Sequence, residues 1–172
     1  MGLFDKFKKP SKPAALSVEA PAGTVLAPVA GNVIALGDVP DPVFSSGVMG
    51  KGCGIEPSGE VVYAPVSGTL SAIGAPNFHA VGLVGDDGAE ILIHVGVDTV
   101  EMKGDGFTVF AEKNAHVKAG EPLLSFSKKK IVTAGHATTV IIALTNTDDL
   151  ASVELVKTGA SEAGEKVIAF QK

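Results

Sequence analysis

Two histidines, His79 and His94, are the residues of this chain best placed to do chemistry. His94 lies in the run Ala89-Glu90-Ile91-Leu92-Ile93-His94-Val95-Gly96-Val97-Asp98-Thr99-Val100, and the turn sequence Gly85-Asp86-Asp87-Gly88 separates it from His79. Apolar-rich stretches flank that turn, which predicts a β-hairpin. A two-residue loop at Asp86-Asp87 sets His79 directly opposite His94, with Cβ atoms roughly 4.5–5.5 Å apart. A loop at Asp87-Gly88 leaves the two as diagonal neighbours, and a three-residue loop separates them. Paired imidazoles suit either a metal ion or the handling of a phosphoryl group, because neutral imidazole is both a ligand and a nucleophile at a reference pKa of about 6.5.

The elements that hold these histidines are read from periodicity. Alternation from Glu90 to Asp98 places Glu90, Leu92, His94, Gly96 and Asp98 on one face of a strand. Ile91, Ile93, Val95 and Val97 take the other, which is uniformly apolar and is the core face, so His94 points away from the core. Two short units recur. Ala27-Pro28-Val29-Ala30-Gly31 returns as Ala64-Pro65-Val66-Ser67-Gly68, and Ala119-Gly120-Glu121 returns as Ala163-Gly164-Glu165. Short apolar runs punctuated by Gly, Pro and Asp predict an all-β fold, an antiparallel sandwich or barrel-like body made of two similar halves. Short helices are expected only at Asp148–Val156 and Lys128–Ala134.

Residues 1–22 read as a tail and linker, with Pro10, Pro13 and Pro21, ahead of one domain over 23–172. Leu3, Phe4 and Phe7 at helical spacing beside Lys6, Lys8 and Lys9 could lie on an anionic membrane surface through residues 1–9. A net charge of −5 argues against nucleic acid and points to partners that are basic at the contact. All 14 basic residues are lysines, so no guanidinium fork grips a phosphate and any phosphoryl group is carried in transit. With one cysteine, Cys53, and no signal-type apolar stretch at the N-terminus, the expected setting is the cytoplasm.

Ile93-His94-Val95-Gly96-Val97-Asp98-Thr99-Val100, followed by Lys103-Gly104-Asp105-Gly106-Phe107, resembles the active-site signature of the glucose-type enzyme IIA component of the bacterial phosphoenolpyruvate-dependent sugar phosphotransferase system. The likeness continues through Val39-Pro40-Asp41-Pro42-Val43-Phe44, Gly54-Ile55-Glu56-Pro57 and His79-Ala80, over about residues 24 to 170. The resemblance implies a duplicated β-sandwich that relays a phosphoryl group from the phosphohistidine of the carrier protein HPr to a cysteine of an enzyme IIB or IIBC sugar permease. It further implies that His94 accepts the group on Nε2 and that His79 steadies the phosphoryl oxygens and supports donation. Asp41 and Asp98 match positions that face basic residues of HPr, and Phe44, Val48, Met49, Val81, Leu92 and Val100 match the partner-binding surface. Asn77 stands where many members have Thr, so a supporting hydrogen bond to His79 is expected from it in altered geometry. Regulatory target proteins are a further class of partner. No cofactor is required, although His79 and His94 supply two of the four ligands of a zinc ion that a partner could complete.

Two other classes share parts of these patterns. His94-Val95-Gly96-Val97-Asp98 has the His-x-x-x-Asp spacing of lysostaphin-type zinc peptidases, but the downstream His-x-His is missing. Met102-Lys103 resembles the attachment site of biotinyl or lipoyl carriers, but Gly104 follows where biotin domains have Met. His116 and His136 are expected to be surface or structural residues and Cys53 a small core filler.

Overall fold

The computed structural model describes residues 11–172, and the expected membrane contact through residues 1–9 lies outside them. Fourteen strands and two short helices follow in order: β1 (Thr24–Leu26), β2 (Gly31–Ala35), α1 (Pro42–Ser45), β3 (Lys51–Pro57), β4 (Val61–Tyr63), β5 (Gly68–Ala72), β6 (Ala80–Gly85), β7 (Glu90–Val95), β8 (Phe107–Val109), β9 (His116–Val117), β10 (Pro122–Phe126), α2 (Lys128–Thr133), β11 (Val140–Leu144), β12 (Ser152–Leu155), β13 (Gly159–Ser161) and β14 (Lys166–Gln171). The main sheet has eight strands in the order β13-β2-β3-β11-β7-β6-β5-β9. Two three-stranded sheets, β1-β14-β12 and β4-β10-β8, pair with it into a sandwich, and every pairing is antiparallel. One core joins the layers, with Ile55, Ile93 and Ile142 from the main sheet against Val25, Val62, Leu124 and Ile168 from the small ones.

The repeated sequence units produce a repeated set of backbone contacts. Leu26 N–H donates to Pro65 O at 2.9 Å, and Tyr63 N–H returns the bond to Pro28 O at 2.7 Å. Ala27 N–H bonds Glu165 O and Ala64 N–H bonds Glu121 O, while Gly164 and Gly120 donate back to Ala27 O and Ala64 O. The two Ala-Pro segments thus cross at the centre, each pinned by the Ala-Gly-Glu turn of its own half. Gly31 and Gly68 open the matching strands β2 and β5. A Cβ at either would collide with a backbone oxygen of the adjacent strand, Glu56 O or Val84 O, so both copies need glycine.

Three expectations need correction. Asp148–Val156 is not a helix: a 3-10 turn at Thr147–Asp149 leads into β12, whose Val153 and Leu155 pack on the core while Glu154 faces water. Pairing with β14 decides this, because it satisfies the β12 backbone and buries a period-two face. The hairpin between β6 and β7 has the three-residue loop Asp86-Asp87-Gly88, closed by Gly85 N–H to Ala89 O at 2.7 Å, with Gly88 at φ +97. A left-handed glycine at the third loop position is the bulged form that keeps the strands twisting together. The expected linker also reaches the domain earlier than residue 23. Leu16 N–H donates to Gly120 O, and Leu16 and Val18 lie against Gly120 and Gly164.

β11 is buried along its whole length, which explains the unbroken apolar run Val140-Ile141-Ile142-Ala143-Leu144. Its outward residues Ile141 and Ala143 join Val39 and Phe44 in a second, smaller cluster, flanked by Ile34, Leu36, Met49 and Leu92. This patch under α1 forms the floor of the candidate site.

Candidate functional site

His94 stands on the outer face of β7, flanked by Ile141 of β11 and Ala80 of β6. The three-residue hairpin loop makes Ala80, not His79, its cross-strand partner. Strand alternation continued to His79 would aim that side chain into the core, beside Val95. A turn prevents this: Ala80 N–H bonds Asn77 O at 3.1 Å, and His79 lies just ahead of β6 with its carbonyl accepting from Val95 N–H at 2.8 Å. The two imidazoles meet edge to face with ring centroids 4.7 Å apart. The predicted pairing of the histidines therefore holds through a different geometry, a turn at the strand end in place of direct opposition.

The tautomer of His94 follows from its bonding. Nδ1 lies 2.8 Å from the carbonyl oxygen of Gly96. A carbonyl only accepts, so Nδ1 carries the hydrogen and Nε2 keeps its lone pair free. Burial lowers the His94 pKa below 6.5, and the Gly96 bond and the charges of Asp41 and Asp98 oppose that shift. His79, only 7% exposed, is held down to about 4, first by burial and then by the neighbouring His94. Both rings are neutral at pH 7, and one presents a nucleophilic nitrogen beside the other.

Phe44 packs on His94 with ring centroids 5.1 Å apart. It is buried and belongs to the floor, as do Met49 and Leu92. Asp41 caps α1, its Oδ1 accepting from Val43 N–H at 3.1 Å with Pro42 at the first helical position. Asp41-Pro42 is a helix-start signal in the sequence, although no helix was expected there. Val48 and Val100 are 76% and 53% exposed, and Val43, which the sequence analysis did not single out, is 55% exposed. These three residues are available to a partner.

Two expected members fall away. Val81 is 0% exposed, paired with Ile93 on the core side of the sheet, and cannot touch a partner. Among the described residues the Asn77 side chain makes no hydrogen bond; its backbone carbonyl serves the turn. Gly96, with φ +78, and the buried Thr99 belong to the site and were not picked out. Their only signal was the tight spacing Gly96-Val97-Asp98-Thr99 directly after the histidine. His116 pairs with Asp86 on the surface at 2.9 Å, and His136 lies 3.7 Å from Glu101. Cys53 is a buried core residue whose thiol burial pushes up to about 12.

Among the described residues no three His, Cys, Asp or Glu side chains converge to hold a metal ion. His79 and His94 by themselves supply two of the four ligands that a tetrahedral zinc ion takes.

His94 thus offers a free Nε2 lone pair beside a second buried imidazole, within electrostatic reach of Asp41 and Asp98. A model of the family described as "phosphoenolpyruvate-dependent sugar phosphotransferase system, EIIA 1" matches residues 23–150, and the chain belongs to that family. Its members are phosphotransferase components that carry a phosphoryl group on histidine from HPr to the IIB domain. The chain is 38% identical over 145 residues to the glucose-specific EIIA component of Staphylococcus aureus, spanning 84% of this chain and 87% of that protein. It is 41% identical over 143 residues to the β-glucoside-specific EIIBCA component of Bacillus subtilis, of which it spans 23%. The solved glucose permease IIA from Mycoplasma capricolum superposes with a TM-score of 0.76 at 36% identity, covering 84% of this chain and 93% of that one. The zinc-peptidase and biotinyl or lipoyl carrier alternatives find no support in these matches.

Proposed function

We propose that His94 Nε2 is the phosphoryl acceptor and His79 the group that steadies the phosphoryl oxygens and aids donation. The supporting observation is the Nδ1–Gly96 bond of 2.8 Å, which leaves Nε2 as the free nucleophile, with the His79 ring 4.7 Å away, centroid to centroid. As the Nε2 lone pair forms its bond to phosphorus, the bond from phosphorus to the donor histidine breaks and its electron pair returns to the donor ring. His79 stays neutral near pH 7, so a ring N–H can face the transferred oxygens without competing as a buried cation. Phe44 and the apolar floor exclude water from one side of His94, and Asp41 and Asp98 attract a basic partner.

Val43, Val48 and Val100 would form the apolar contact for HPr, for the IIB or IIBC permease and for any regulatory target. Relatives named for glucose and for β-glucosides share this domain, which agrees with sugar choice residing in the membrane component. We assign the protein to the cytoplasm and residues 1–9 to contact with an anionic membrane surface. No cofactor takes part; a zinc ion would need further ligands from a partner. Phosphoenolpyruvate, enzyme I and HPr should together add one acid-labile, base-stable phosphoryl group. A His94→Ala protein that is labelled at the wild-type rate would refute the assignment.

A further inference from the structure

Thr99 is fully buried yet polar, and it is not part of any sheet. It opens the 3-10 turn Thr99–Met102 directly after Asp98, whose φ of 59 turns the chain back toward β7. Its hydroxyl donates to the carbonyl of Val95, the last residue of β7. Its methyl group is seated against Gly96: a Cβ at that glycine would collide with Thr99 Cγ2 and lie 3.0 Å from Ala137 O. On the opposite side, Gly96 N–H bonds Thr139 O at 2.9 Å and Val97 N–H bonds Ala137 O at 3.0 Å. The Gly96 peptide is thus clamped between Thr99 and the approach to β11, and the carbonyl so fixed is the one that accepts from His94 Nδ1.

We propose that Thr99 is a positioning residue that decides which nitrogen of His94 takes the phosphoryl group. The inference rests on His94 being the acceptor and adds the cause of its regiochemistry. Both imidazole nitrogens are nucleophiles when unprotonated, and the choice lies with the tautomer. A single unsupported hydrogen bond biases a tautomer only about fivefold. A carbonyl held from both sides does not drift, so the bias persists as the partner docks. In the transfer, Nε2 bonds to phosphorus while the donor nitrogen leaves with its electron pair. The Nδ1 proton remains and keeps its bond to Gly96 O as the ring becomes cationic. Thr99 touches no reacting atom and acts through Gly96.

The test uses the whole chain as wild type, Thr99→Ser, which keeps the hydroxyl, and Thr99→Val, which keeps the shape and removes it. Nitrogen NMR of the unphosphorylated proteins reports the His94 tautomer. Phosphorus and nitrogen NMR after phosphorylation by phosphoenolpyruvate, enzyme I and HPr report which nitrogen carries the group. Wild type should show the Nδ1–H tautomer and a single Nε2 product; Thr99→Ser, which keeps the bond to Val95 O but loses the methyl contact with Gly96, should give the same product with a weaker tautomer bias. Thr99→Val should show mixed tautomers, label on both nitrogens, and onward transfer to a IIB domain slowed about tenfold or more. Thr99→Ala carries the same test should the valine protein not fold. A pure Nδ1–H tautomer and pure Nε2 product in the folded hydroxyl-free variant, with only a lower melting temperature, would overturn the proposal. Failure of wild-type His94 to be labelled would instead refute the acceptor assignment, and the tautomer measurement would still judge Thr99.

Discussion

Replacing His79 with glutamine should flatten the acid limb of the stability profile. Burial and His94 hold the folded-state pKa of His79 at about 4, against 6.5 for a free imidazole. Above pH 6.5 the ring is neutral in both folded and unfolded chains and contributes no pH dependence. Between 6.5 and 4 the unfolded chain binds a proton that the folded one refuses, so unfolding becomes easier by up to about 1.4 kcal/mol per pH unit. Below 4 the loss is complete, and the shift converts to roughly 3 kcal/mol. Glutamine can donate to a phosphoryl oxygen but does not titrate. Urea unfolding of both proteins at intervals from pH 7.5 to 4 therefore isolates this group, because carboxylates and His94 contribute to both curves. The wild-type advantage, or smaller disadvantage, at pH 7 should decline by about 3 kcal/mol on reaching pH 4. Parallel curves, or an NMR titration of His79 near 6.5, would refute the claim that the site is built to keep this ring neutral. Phosphorylation of His94 should raise the same pKa, since a dianion beside the ring favours its charged form.

His79→Gln should still accept a phosphoryl group but pass it to IIB about 10²–10³-fold more slowly; unchanged transfer removes His79 from the mechanism. Replacing Asp41 and Asp98 together with lysine should slow uptake from HPr strongly at low salt and less at physiological strength, where the Debye length is about 8 Å. Equal rates at low ionic strength would place the docking face elsewhere. Gly31→Ala and Gly68→Ala should each cost more than about 3 kcal/mol in denaturant unfolding, because the added methyl meets backbone oxygen in both copies of the repeat. A mild effect at either site would break the structural equivalence of the two halves. Cys53 should react with a thiol reagent only on unfolding, its thiol being buried and pushed up to about 12; fast labelling of the native protein would contradict that burial.

Much of this protein was legible residue by residue. The alternation Ile91, Ile93, Val95 identified the core face of β7 and turned His94 outward, because side chains on a strand alternate whatever surrounds it. The paired Ala-Pro and Ala-Gly-Glu units announced two halves, and their identical backbone bonds show why each copy keeps the same residues. The unbroken run Val140–Leu144 was apolar on both faces, as a strand covered by two layers must be. What tertiary structure decided were register and cover. A left-handed Gly88 lengthened the hairpin loop by one residue, which sent Val81 inward and left a turn at Asn77–Ala80 to bring His79 back to His94. β14 drew Ser152–Leu155 into a strand that local propensity had not demanded. The orientation of the His94 ring depends on Gly96 being wedged between Thr99 and Ala137, residues 3 and 41 positions further along the chain. Periodicity is a property of the backbone and can be read locally, whereas register, burial and a ring's tautomer depend on which distant groups occupy the remaining space.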